Sequence, residues 1–180
     1  MVQSVELLLD PAAEDRVRAD WDALAAVDLP SLASNAHESN RPHVTVAVAE
    51  TGLTPALDGL QAVFRGWELA TEGLAGIVGG PVLFGGQRGR WVLARQIVPS
   101  RPLLTMHSAV HRMIALEAPG AEVVDQTVPD GWTAHVTIAR RIPAGRLAEA
   151  LGLLDPDPLP CRFVAARLWD GGARTVTPLA

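Results

Sequence analysis

The apolar positions along the chain follow two rhythms. In VQSVELLL, residues 2–9, and in VTVAVA, from Val44, aliphatic and β-branched residues crowd at short range, which predicts strands. In PAAEDRVRADWDALAAV they recur at three and four, so that Val17, Trp21, Leu24 and Ala25 share one face. Pro11 suits a first helical turn and the acids Glu14 and Asp15 suit its positive end, predicting a helix over 11–26. The polar run 28–42 reads as a loop. A second helix is expected over 54–65, with Thr54 as its N-cap and Pro55 at its first position.

From Trp67 to Pro99 strand-formers are broken by glycines. The segments WELATEGLAGIVG, PVLFGG and RWVLARQIV predict a meander of two or three strands with GGQRG as a turn. Helical spacing returns over 101–117 through Leu103, Met106, Val110, Met113 and Ile114, and Pro119 and Gly120 close it. A loop over 119–134, a strand HVTIA, a helix begun by Pro143, and two closing strands, CRFVAARLWD and ARTVTPL, complete the chain. Each half thus offers a helix, a loop, a strand beginning His-Val-Thr, a further helix and then strands. The expectation is one α+β unit over 1–180, built of two similar halves with no linker long enough to part them.

Composition narrows the function. Apolar residues make up 48% of the 180, enough for a core, and the 14 prolines and 16 glycines imply short elements. A net charge of −5 argues against a protein that grips long nucleic acid, which needs a basic surface. The lone Cys161, within CRFVAARLW, excludes an internal disulfide and reads as a buried strand residue. No apolar run reaches membrane-spanning length, and the first residues do not make a signal peptide. A cytoplasmic monomer is expected, with no membrane association.

Two of the five histidines open the same phrase: RPHVTVAVAE from Arg41 and AHVTIARRI from Ala134. Strand alternation puts His43, Thr45 and Ala47 on one face and Val44, Val46 and Val48 on the other. His135, Thr137 and Ala139 repeat the pattern. An imidazole exchanges protons near neutral pH, and a threonine hydroxyl donates to a phosphoryl oxygen. Two such pairs could grip one phosphate from both sides, one imidazole acting as base and the other as acid, without a metal or other cofactor.

With its HVTV and HVTI motifs about ninety residues apart, the sequence resembles the two-histidine phosphoesterase superfamily. Within it, the sequence resembles specifically the bacterial 2'-5' RNA ligase-like proteins, or RNA 2',3'-cyclic phosphodiesterases. The resemblance covers essentially the whole chain. It implies a bilobal α+β fold of two antiparallel sheets related by a pseudo-twofold axis, with helices outside and one motif from each lobe lining a central cleft. It implies hydrolysis of a 2',3'-cyclic phosphate, on an RNA end or a small nucleotide, to a 2'-phosphomonoester. Reversible ATP-independent 2'-5' ligation is a further activity of some members. In that scheme His43 protonates the departing ribose oxygen, His135 activates water, and Thr45 and Thr137 hold the non-bridging oxygens. The sequence leaves open which histidine is acid and which base. Members often carry an arginine after the second motif, the place of Arg140 here. Strict alternation, however, puts Arg140 opposite His135 and gives Arg141 the histidine's parity.

Other signals are weaker. His107 and His111 sit four apart on a helix, a metal-ligand spacing without a third ligand nearby, and read as a helix flank. Trp132 suits either stacking on a base or packing between lobes. His37 and Arg41 read as solvent-facing. Three rival readings stand beside the main one: a non-catalytic module that binds a nucleotide or RNA end, a phosphodiesterase for another small cyclic phosphate or a 2'-5'-linked oligonucleotide, and a metal site built on His43 and His135.

Overall fold

The computed structural model describes residues 2–69 and 71–180. In chain order the elements are β1 (Gln3–Leu9), α1 (Pro11–Ala25), β2 (His43–Ala49), α2 (Leu57–Gly66), β3 (Leu74–Gly85), β4 (Arg90–Ile97), α3 (Arg101–Glu117), β5 (His135–Pro143), α4 (Leu147–Gly152), β6 (Leu159–Asp170) and β7 (Thr175–Pro178). The run strand–helix–strand–helix–strand therefore occurs twice, once ending at β3 and once at β6.

All strand pairings are antiparallel, in the order β1-β2-β5-β4-β3-β6-β7, with β1 also paired to β6. β6 is the shared strand: its first half, from Leu159 to Phe163, pairs with β3, and its second, from Phe163 to Asp170, pairs with β1. The strands therefore form one seven-stranded sheet rather than the two expected, and β6 joins its two runs, β2-β1-β6-β7 and β5-β4-β3-β6. They meet a second time at a single pair, Val44 with Val136, inside the two repeated motifs. β1 lies between β2 and β6 and is buried along its whole length, which its apolar VELLL run requires.

Local chemistry explains most boundaries. Asp10 accepts from the Ala13 amide at 3.1 Å and starts α1, with Pro11 in the first turn. Ser100 does the same for α3 through the Leu103 amide. Thr54 is not the N-cap of α2. It opens a short 3-10 turn over Thr54–Ala56, and its hydroxyl accepts from Gln3 Nε2 at 3.3 Å. The meander has two strands, within the two or three expected. Gly79 and Gly80, read as a break, are carried inside β3 as an irregularity between Val78 and Pro81 where β3 passes β4. The true turn is at Gly85 and Gly86, with φ of 86° and 88°, and a Cβ on Gly86 would lie 2.7 Å from the Trp91 ring.

A buried ion pair ties α1 to β4. Arg95 donates from Nε and Nη2 to the two carboxylate oxygens of Asp20, at 2.5 and 3.1 Å, and from Nη2 to the Asp155 carbonyl at 2.8 Å. Cys161 is buried, as expected, and burial pushes its thiol up to about 12. No helix among the described residues is long and apolar enough to cross a membrane.

Candidate active site

The repeated motifs do not follow simple alternation, and the departure is the same in both. On β2, Glu6 pairs with Thr45 but Val5 pairs with Ala47, so one extra residue enters at Val46. On β5, Ala94 pairs with Thr137 but Leu93 pairs with Ala139, so the extra residue is Ile138. A bulge shifts side-chain parity by one. Val46 and Ala47 are therefore both fully buried, and so are Ile138 and Ala139. The expectation that Ala47 and Ala139 share the histidine face is wrong. Val48 and Arg140 return to that face instead.

This resolves the arginine question. Arg140 lines a cavity of about 500 Å³ with His135, Thr137 and Phe84, and a second of about 360 Å³ with His43, Thr45, Glu6 and Arg167. It is the residue common to both, and it makes no ion pair among the described residues. Arg141 is exposed with a φ of 66°, in the left-handed region.

The two imidazoles are held alike. His43 Nδ1 lies 2.7 Å from the Arg41 carbonyl, and His135 Nδ1 lies 2.7 Å from the Thr133 carbonyl. A carbonyl only accepts, so both Nδ1 atoms carry a proton, and each Nε2 is left for chemistry. The antiparallel pair at Val44 and Val136, the second residue of each motif, sets the start of the first motif against the start of the second. Both threonine hydroxyls are without a hydrogen-bond partner among the described residues.

The surroundings differ. The Phe84 ring lies 4.6 Å from the His135 ring. Burial lowers the His135 pKa below the ordinary imidazole value, the nearby positive charges of His43 and Arg140 lower it further, and the Thr133 carbonyl opposes them. His43 instead has the carboxylate of Glu6 3.6 Å from its Nε2, within ion-pair range of an imidazolium. Glu6 is almost fully buried. It accepts from Arg167 Nε at 2.8 Å and from the Ser4 hydroxyl at 2.7 Å. At the register position of Glu6 the second half has Ala94, so this polar group belongs to one half only.

Glu6 and Arg167 belong to no motif in the sequence. Their signal was opposite charges set in two apolar strands, VELLL and VAARLW. The remaining residues fall outside the cleft. Trp132 is a packing residue: its indole donates to the Thr45 carbonyl at 2.9 Å and stacks on His107 at 4.0 Å. His107 and His111 lie on α3 as a helix flank, turned towards the packed side rather than towards the cleft. Each lies within hydrogen-bond reach of a backbone carbonyl through Nε2, His107 that of Thr127 at 2.8 Å and His111 that of Val46 at 3.1 Å. Arg41 pairs with Glu14 at 2.6 Å, and His37 meets the edge of Trp169.

The sequence model of the 2'-5' RNA ligase superfamily matches residues 11–173. The chain belongs to the 2'-5' RNA ligase superfamily. Solved structures with the same fold include Usb1 of Kluyveromyces marxianus, 16% identical, with a TM-score of 0.56 over 99% of this chain and 97% of that one. The PDE domain of MHV ns2 is 12% identical, with a TM-score of 0.59 over 99% of each chain. LigT of E. coli, solved with 3'-AMP, is 12% identical, with a TM-score of 0.50 over 99% of this chain and 94% of that one. No curated protein sequence matches the chain. Membership makes this a protein of the two-histidine phosphoesterase type, with phosphodiesterase or ligase-like chemistry.

Proposed function

We propose that this superfamily member opens 2',3'-cyclic phosphates, on RNA ends or small nucleotides, to 2'-phosphomonoesters by paired-histidine catalysis without a metal. The observation that carries the proposal is the matched pair of imidazoles. Both have Nδ1–H fixed on a carbonyl two residues back, both present Nε2, and their motifs meet in register. His135 is the base. Burial and neighbouring charge keep it neutral, so its Nε2 can take a proton from water as the water attacks phosphorus. His43 is the acid: it gives its Nε2 proton to the departing ribose 3'-oxygen, and Glu6 stands beside the resulting exchange. Acid and base groups of this kind are each worth ~10²–10⁴-fold.

Thr45 and Thr137 hold the non-bridging oxygens, and Arg140, between the two cavities, supplies a planar fork for the phosphate. That Usb1 is known with uridine monophosphate and LigT with 3'-AMP supports a nucleotide as the ligand class. The unit acts as a single bilobal domain over 1–180, because the strands of both halves share β6 and the cleft takes one motif from each.

A short RNA ending in a 2',3'-cyclic phosphate, incubated in EDTA, tests the reading. The expected product is the 2'-phosphomonoester, with turnover abolished in His43→Ala and in His135→Ala. The acid limb of the kcat/KM profile should lie below the ordinary imidazole value, because the pKa of the base is lowered. Tight binding without turnover, unchanged in His135→Ala, would leave a nucleotide-binding module instead.

A further inference from the structure

Two tryptophans reach from one half of the molecule to the motif of the other. Trp21, on α1 of the first half, donates its indole N–H to the carbonyl of Thr137 at 3.1 Å. Trp132, in the second half before β5, donates to the carbonyl of Thr45 at 2.9 Å. Each acceptor is the motif threonine beside the bulge, the residue whose hydroxyl faces the cleft. Neither indole lines the cavities.

Both rings are held firmly. Trp21 is 2% exposed, and its own carbonyl accepts from the Ser31 hydroxyl at 2.6 Å. Trp132 lies nearly parallel to the His107 ring, at 6° and 4.0 Å, and the Thr127 carbonyl anchors His107 through Nε2. His111, one turn along α3, holds the next carbonyl of the bulge, Val46, and the Thr127 hydroxyl accepts from the Val48 amide at 3.2 Å. Direct strand pairing between β2 and β5 is limited to Val44 and Val136. One backbone pair is a weak hinge for two half-sites that must close on one phosphate.

We propose that Trp21 and Trp132 are positioning residues that set the separation of the two half-sites, each acting through the threonine of the opposite motif. The proposal rests on the paired-histidine reading given above. The effect is geometric: a reacting group displaced by about 1 Å can cost ~10²-fold, and an indole N–H lost from a threonine carbonyl displaces the hydroxyl on the same residue.

The test is a double-mutant cycle on kcat with the cyclic-phosphate RNA, since a residue acting through another loses its effect when that partner is removed. Trp132→Phe keeps a ring against His107 and removes the donor. It should lower kcat about ten-fold with KM changed less than about three-fold. In a Thr45→Ala background Trp132→Phe should have no further effect, whereas in Thr137→Ala it should multiply. Trp21→Phe should show the reverse pairing. If a phenylalanine variant does not fold, benzothienylalanine, which replaces the indole N–H by sulfur in the same ring shape, takes its place.

Effects that multiply in both threonine backgrounds would overturn the proposal, as would a lowered Tm with unchanged kcat. An inactive native protein would overturn the reading of the reaction and the proposal with it. An active native protein with multiplicative cycles overturns the proposal alone.

Discussion

His107 should make this protein acid-labile by a calculable amount. The side chain is 2% exposed and lies in the interior between Trp132, His111 and the Thr127 carbonyl. Burial pushes its pKa down from 6.5 to about 4. The Thr127 carbonyl opposes this, and the neighbouring His111, itself lowered, adds to it. In the unfolded chain the imidazole binds a proton near pH 6.5, whereas in the folded chain it does so only near pH 4. Between those values the unfolded state holds more protons, so stability falls as pH falls. The loss attributable to His107 is about 1.4 kcal/mol at pH 5.5 and about 2.5 kcal/mol at pH 4.5, from 1.36 kcal/mol per pKa unit.

Carboxylates add their own pH dependence, so the quantity to measure is a difference. Urea unfolding followed by far-UV circular dichroism, at constant ionic strength from pH 7.5 to 4.5, would compare the native protein with His107→Gln. The glutamine keeps a donor for Thr127 and does not titrate. The variant should be the less stable at pH 7.5 and should recover about 2.5 kcal/mol relative to the native protein by pH 4.5. Parallel curves would refute the reasoning, because they would mean that the folded and unfolded chains bind the His107 proton equally well.

Two further outcomes follow from the geometry. Arg140→Ala should lower kcat/KM by about 10²-fold, the effect of removing one donor to a transition-state oxyanion, while Arg141→Ala should stay within about three-fold; equal effects in a steady-state assay would mean that the β5 bulge does not decide which arginine reaches the phosphate. Asp20→Ala should cost about 3–5 kcal/mol in urea unfolding, because it leaves the buried Arg95 guanidinium without its carboxylate; a loss below about 1 kcal/mol would show that the pair is solvated in solution.

Much of the fold was legible because its signals are local. The 101–117 helix carries a serine cap before it and apolar residues at helical spacing, and its ends match the sequence reading. The two glycines inside β3 left two strands or three open, because a glycine pair marks a turn or an irregular strand equally well, and only the partner strands decide. The motif histidines and threonines were legible as a repeated phrase. Arg140 was legible only through family resemblance and against alternation. Its parity depends on bulges, which are a property of two strands in register and leave no mark on either strand alone. Glu6 and Arg167 were missed, and Trp21 was read only as part of a buried helix face, for a related reason. Each acts on a residue far away in the chain, and an isolated charge or tryptophan in an apolar segment does not announce its partner.

Two motifs that read almost identically have been placed in unlike surroundings, and the difference gives the cleft a direction. A reaction that needs one neutral and one charged imidazole gains nothing from two equivalent ones. Here the second motif sits against Phe84, with burial and the charges of His43 and Arg140 favouring a neutral His135. The first sits beside a buried carboxylate whose register counterpart in the other half is Ala94. The repeat supplies the shared parts of the chemistry, namely a fixed Nδ1–H, a free Nε2 and a hydroxyl two residues on. The residues outside the repeat, Glu6 and Arg167 on one side and Phe84 on the other, make the surroundings of the two histidines unlike. A sequence comparison of the two HVT phrases therefore finds two like half-sites, and only the packing around them tells one from the other.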